Sequence, residues 1–318
     1  MNWKKLGKLF DPTKFSLPNG CAEFAQSPQA LVFDDFVRIY FSTRARDGDG
    51  KYLSHIAYVD MAKDFRKTVA VSTHTVIELG KRGCFDEHGI FPMNVVRHGT
   101  LIYGYTSGVN RRSSVPVDTA IGLAISRDGG ITFQRLGDGP VLTASLHEPC
   151  LVADPFVKIC RNVFHMWYIF GTGWKCYSDT AAPERIYKIG HAVSADGINW
   201  KRHDGLQVIA SRLGNDECQA LPTVIEIDGR HHMFFCYRQA HDFRSNRERG
   251  YRIGHAWSDD LTNWTRDDTQ MSLDVSEGDW DSDMLCYPHV FSCDGRIYML
   301  YNGNEFGRHG FGLAVLET

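Results

Sequence analysis

The fragment NWKK at Asn2–Lys5 returns twice further along the chain, as NWKR at Asn199–Arg202 and as NWTR at Asn263–Arg266. Each internal copy closes a longer pattern, SADGINW (Ser194–Trp200) or SDDLTNW (Ser258–Trp264), and SRDGGITF (Ser126–Phe133) is a third version. A chain start that copies an internal segment points to a repeat architecture in which the first residues complete a unit begun elsewhere.

Proline sets the period of that repeat. Pro28, Pro92, Pro155, Pro222 and Pro288 lie 64, 63, 67 and 66 residues apart. In each case an aromatic follows thirteen residues later: Phe41, Tyr105, Tyr168, Phe235 and Tyr301. Each run reads as strand, polar turn, strand, and IDGR and CDGR carry the Asp-Gly turn signal. A variable polar loop then leads to a third strand: HIAY (55–58), IGLAIS (121–126), IGHAVS (189–194), IGHAWS (253–258) and FGLAVL (311–316). Three of these continue through the SxDG-type turn into a fourth strand.

Five four-stranded units predict an all-β fold, a five-bladed β-propeller, because a single blade cannot bury both faces and must stack in a ring. The fifth unit ends after its third strand at Thr318. Spacing assigns its missing partner: Phe133, Trp200 and Trp264 precede the next proline by 22, 22 and 24 residues, and Trp3 precedes Pro28 by 25. Residues 1–10 are therefore expected to supply the outer strand of blade five, closing the ring within one domain spanning 1–318 and covering two sheet edges.

Of the chain's 318 residues, 43% are hydrophobic and 23% charged, enough for a sizeable buried core. The formal charge of −3 argues against a general nucleic-acid or membrane-surface binder, and no apolar run reaches the length of a membrane span. Nine cysteines without a CxxC pair read as buried free thiols of a cytoplasmic protein. No His/Cys/Asp cluster has metal-ligand spacing, so neither metal nor cofactor is expected.

In an up-down-up-down blade the segment before each proline shares a face with the loop leaving each second strand, and the SxDG turns lie opposite. The first face is the richer in chemistry. Its strand starts carry Asp86 and His88 (FDEHGIFP), Glu148 and Asp154 (HEPCLVADP), Glu217 (NDECQALP), and Trp280 and Asp283 (GDWDSDMLCYP), with Tyr287 next to its proline. Blade one enters through FAQSP and brings no carboxylate. The second strands leave through Arg44, Trp174, Arg238, His241 and Asn302. Paired carboxylates supply general acid and base, aromatic faces stack on sugar C–H surfaces, and Arg and Asn bond hydroxyls, so this ring of residues suits a small-molecule or oligosaccharide substrate. The segment CYRQAHDFRSNRERGYR (236–252) adds Arg244, Arg247, Arg249 and Arg252 to Arg238. Guanidinium forks bind phosphate oxygens bidentately, so the substrate is expected to be either neutral or phosphorylated.

With these features the chain resembles the five-bladed propeller glycosidases of glycoside hydrolase families 32, 43, 68 and 130. The ADP of Ala153–Pro155 is similar to the blade-three Asp-Pro of those enzymes, which implies that Asp154 tunes the acid and holds substrate hydroxyls. The EC of Glu217–Cys218 is similar to the acid motif of family 32 and implies Glu217 as proton donor. Where families 32 and 43 carry a blade-one Asp, this chain has Ser27, leaving Asp86 or Asp283 as base. Trp174, Trp280 and Tyr287 are the expected stacking platforms, and Arg44 and Arg238 the ligands of hydroxyl or phosphate. The expectation is a glycoside hydrolase with paired carboxylates. Two alternatives stand beside it: a phosphorylase or transferase using a phosphorylated or nucleotide sugar, as the absence of the blade-one Asp invites, and a propeller that binds glycan or protein without turnover.

Overall fold

The computed structural model describes residues 1–179 and 182–317. They form five four-stranded antiparallel sheets, and the first strands of neighbouring sheets touch in a closed ring. Blade one is Glu23–Val32, Phe36–Arg46, Tyr52–Ala62 and Thr68–Val71. Blade two is Ile90–His98, Leu101–Arg111, Val117–Ser126 and Gln134–Arg135. Blade three is Cys150–Cys160, Val163–Lys175, Glu184–Ser194 and Lys201–Arg202. Blade four is Glu217–Ile227, Arg230–Gln239, Arg252–Ser258 and Thr265–Arg266. Blade five is Cys286–Cys293, Arg296–Asn302 and Phe311–Glu317, completed by Asn2–Phe10.

The strand at the chain start pairs antiparallel with the strand at the chain end, Trp3 opposite Leu316 and Lys4 opposite Val315. Trp3 is buried edge-on against Phe234 of blade four, with ring centroids 5.5 Å apart. Between blades five and one, Phe10 meets Phe41 at 5.1 Å and Phe311 at 5.3 Å. Burying each such ring contributes roughly 1.5–3 kcal/mol, so the seam is held by packing as well as by the strand ladder. Asn302 adds a polar latch. It accepts the Ser27 N–H at 2.8 Å and donates to the Ala25 and Gly310 carbonyls.

The SxDG turns are self-contained. Asp196 accepts the N–H groups of Ile198 and Asn199, and these bonds hold its carboxyl well below the usual range; Asp260 repeats the arrangement with Thr262 and Asn263. Second-strand tyrosines pin two of these hairpins to the neighbouring blade: the Tyr40 hydroxyl donates to Gly130 O and that of Tyr105 to Gly197 O. All nine cysteines are free, and no helix among the described residues is long and apolar enough to cross a membrane.

Candidate functional site

Each repeat proline sits in a break of register. The pairing of first and second strands slips between Gln26 and Gln29, Ile90 and Met93, Ala153 and Phe156, Ala220 and Thr223, and Cys286 and His289. Proline has no N–H to give the ladder, so each blade makes a bulge at this point, and a bulge re-aims the side chain beside it. In four of the five, the residue before the proline takes a left-handed backbone: Ser27 (φ 51°), Asp154 (53°), Leu221 (47°) and Tyr287 (57°). Such a conformation is unfavourable for non-glycine residues and recurs at functional sites. Of the five pre-proline residues only Asp154 bears a carboxylate.

Three of them, Phe91, Asp154 and Tyr287, line a cavity of about 390 Å³, a volume usual for a small-molecule site. Asp154 is the one carboxylate among its lining residues. It is only 5% exposed, and burial pushes its carboxyl up to about 7 against the opposing pull of the Leu221 N–H and Arg185. Its own N–H donates to Ser107 Oγ at 2.7 Å, which ties the bulge to blade two. Five arginines, Arg44, Arg111, Arg185, Arg238 and Arg244, face this single acid, with His88 beside them.

Two of the five cations are neutralised. Arg111 pairs with Asp47 at 2.6 Å and Arg244 with Glu184 at 2.8 Å. Arg238 is 2% exposed and has no carboxylate partner among the described residues; its N–H groups go to the Gln239 and Ala240 carbonyls and the Tyr187 hydroxyl, and its guanidinium carbon lies 3.5 Å from the Phe243 ring centroid. Arg44 stacks on Phe24 and Tyr52, and its Nε is buried without a partner. Burial, assisted by Arg185 nearby, lowers the affinity of Arg44 for its proton. Neither Arg44 nor Arg185 has a carboxylate partner among the described residues. Three guanidiniums without a carboxylate partner around one acid that keeps its proton in part at neutral pH make the cavity cationic, and a buried charge without a counter-ion is unfavourable until a ligand supplies one.

Of the thirteen residues singled out in the sequence, Asp154, Arg44, Arg238, His88 and Tyr287 meet in this cavity. Asp283 lines an adjoining vestibule. The others do not join them, and for the carboxylates the reason is a second repeated device. Glu217 is fully buried away from the cavity: it pairs with Arg266 at 2.6 Å and accepts the Arg212 and Leu213 N–H groups and Gln219 Nε2, each at 2.8 Å. Burial alone raises its pKa, but these partners together hold it below the ordinary value. Glu148 pairs in the same way with Arg202 at 2.7 Å and receives the Tyr168 hydroxyl. Asp86 pairs with Arg135, and Asp281 with Lys5 at 2.6 Å. In every case an acid at or just before the start of the first strand meets a base on the outer strand of the same blade. The recurrence of acids in four blades is thus a structural pillar, which corrects the expected placing of Glu217, Asp86 and Glu148 in the funnel.

The remaining four also lie outside the cavity lining. Trp280 stacks on Tyr301 at 5.3 Å and packs against Gly303 and Gly312. Asn302 is the latch already described. His241 stacks on Tyr177 at 4.4 Å and receives Arg249, and Trp174 lies on the strand pair with Arg185 opposite it. The sequence reading missed Arg185 and Tyr187. Both sit at the start of a third strand, which rises from the same face as the pre-proline bulges. That position was legible from the up-down order of the strands, but the loop before it varies in length and hides the register.

No protein-family profile matches the chain. Two Mycobacterium tuberculosis proteins described as uncharacterized, MT1551 and Rv1502, are each 34% identical over 324 residues, covering 100% of both chains. A beta-1,2-mannobiose phosphorylase of Thermoanaerobacter is 33% identical over 137 residues, 41% of this chain and 43% of that one. Among solved structures, one described as a glycoside hydrolase superposes with a TM-score of 0.75 at 17% identity, covering 99% of this chain and 91% of that chain. Another, from work describing glycoside hydrolases in the GH130 family of mannoside phosphorylases, gives 0.67 at 15% identity, covering 99% and 94%. At these identities the structural likeness is one of fold. The chain belongs to the family of the two Mycobacterium tuberculosis proteins, built on the five-bladed propeller of the glycoside hydrolases and mannoside phosphorylases.

Proposed function

We propose that the protein is a carbohydrate-active enzyme that cleaves a glycosidic bond with inorganic phosphate as the nucleophile. The observation that carries this reading is the charge inventory of the cavity: one acid, Asp154, and three arginines without counter-ions. A hydrolase of the paired-carboxylate kind needs a second carboxylate to activate water. Phosphate arrives already anionic and needs only to be held, which guanidinium forks do well.

In this scheme the Asp154 carboxylic acid gives its proton to the glycosidic oxygen while a phosphate oxygen attacks the anomeric carbon. The carbon–oxygen bond to the leaving group breaks, an alcohol departs with the proton, and a sugar 1-phosphate remains. A pKa near 7 suits the role, since the acid is then protonated in part at neutral pH and strong enough to donate. Arg44 and Arg185 hold the phosphate, and Arg238 fixes the Tyr187 hydroxyl at the cavity wall. The partial relationship to a mannobiose phosphorylase supports the same reading and makes β-1,2-mannobiose the first substrate to try. The test is release of sugar 1-phosphate from a disaccharide panel with and without phosphate. Turnover that needs phosphate and falls by about 10²-fold or more in Asp154→Asn is expected; equal turnover without phosphate would favour hydrolysis, with Asp283 as the available base.

A further inference from the structure

The phosphate-binding cavity opens outward into a second hollow of about 520 Å³, and the two share Phe24, Arg44, Arg244 and Phe306 as common walls. The outer hollow adds Arg247 and Met284 to these walls. We infer that this vestibule receives a phosphate monoester carried by the leaving-group side of the substrate, so that the enzyme holds two anions at once. The inference rests on the reading of the inner cavity as the phosphate site.

Arginine use in the 236–252 segment argues for it. Arg249 is engaged by His241 and Asp242, and Arg252 by the Tyr251 and Asp283 carbonyls and Asp274. Arg244 has Glu184 and stacks on Phe243 at 4.1 Å. Arg247 alone in that loop makes no side-chain hydrogen bond or ion pair to a described residue, and it stands at the vestibule. Of the two vestibule acids, Glu305 is taken up by Arg308 and His309, both at 3.1 Å. Across the two hollows four guanidiniums, Arg44, Arg185, Arg238 and Arg247, have no carboxylate partner among the described residues, against the acids Asp154 and Asp283; inorganic phosphate offsets at most about two of them, so positive charge remains for a second anion while Asp154 keeps its proton.

The opposite wall is built under strain. Glu305 and Phe306 are consecutive left-handed residues (φ 53° and 57°), and the turn is held by Gln26 Nε2 donating to Phe306 O at 2.6 Å. A bulky aromatic in that conformation is unfavourable and persists only where the surroundings enforce it. Here it sets the Phe306 ring against Phe243, 6.0 Å between centroids, at the mouth shared by both hollows. Phenyl rings and guanidiniums lining one hollow fit a compact organic group bearing a phosphate, whether that group is a sugar or a nucleoside.

The experiment is calorimetric titration of the full chain, in saturating inorganic phosphate, with hexose 6-phosphates, nucleoside 5′-monophosphates and the corresponding unphosphorylated compounds. At least one phosphorylated probe is expected to bind while phosphate stays in place, with its unphosphorylated parent at least tenfold weaker; which of the two series binds tells sugar from nucleoside. Arg247→Ala should weaken that probe about tenfold or more, and Arg247→Lys less, with inorganic phosphate affinity unchanged. Arg247 is exposed, so an unchanged unfolding midpoint will confirm that the variant is folded. Strict competition between every phosphorylated probe and inorganic phosphate, or an Arg247→Ala variant that binds them all as before, would overturn the second anion site while leaving the inner one standing. Absence of inorganic phosphate binding would instead remove the reading on which it rests.

Discussion

Asp154 combines three circumstances that no other acid of the chain shares: a pre-proline bulge, a left-handed backbone and a place in the cavity among unpaired arginines. Its replacement by Asn should lower turnover by about 10²–10⁴-fold, the range of general-acid catalysis. Turnover of the native enzyme should fall as pH rises through about 7, where the acid loses its proton. The same shift has a stability signature of known sign. A carboxyl with a raised folded-state pKa binds more protons folded than unfolded, so native stability declines as pH rises from about 4 to above 7. A displacement of about three pH units corresponds to roughly 4 kcal/mol at most. Asp154→Asn should therefore gain thermal stability relative to the native protein at pH 8 and not at pH 4, as paired melting curves will show. Glu217 is expected to behave in the opposite manner. Arg266→Ala leaves its buried carboxylate without a counter-ion and should destabilise by about 3–5 kcal/mol in denaturant titrations. Glu217→Gln should destabilise less, and its folded fraction should turn over normally.

At the scale of the blade, proline does two jobs. It marks the repeat in the sequence, and it produces the bulge that in three of the five blades places the preceding residue in the cavity lining. The fold was legible because Pro28 to Pro288 recur with aromatics at a fixed distance, and because NWKK could be matched to NWKR and NWTR. Part of the lining of the candidate cavity is legible on the same grounds: Asp154 and Tyr287 adjoin repeat prolines, and Arg44 and Arg238 lie near the ends of second strands. Asp86, Glu148 and Glu217 recur in successive blades yet lie outside the cavity lining, each bonded to the outer strand of its own blade. Repetition in a propeller first signals what every blade needs, here an acid bonded to the outer strand, whereas chemistry at a shared axis needs a residue only once. The opening strand belongs to the same scale. Trp3→Ala removes a buried indole from the seam and should cost about 3–5 kcal/mol, measured as a fall in the denaturant midpoint.

For the molecule as a whole, a formal charge of −3 conceals a cavity with the opposite sign. Under the proposed reading, guanidiniums gathered in the cavity of a net-acidic molecule favour the entry of small anions. This contrast separates the phosphate-using reading from both a neutral-sugar hydrolase and a propeller that only binds glycans. It can be checked without knowing the sugar, by following the unfolding midpoint during titration with inorganic phosphate in the native protein and in Arg185→Ala. A ligand that binds only the folded state raises the midpoint as RT ln(1 + [L]/Kd). The expected result is a steady climb with phosphate that needs at least tenfold more phosphate in Arg185→Ala. A flat titration in the native protein, or an identical climb in the variant, would contradict an anion site built from the unpaired arginines around Asp154.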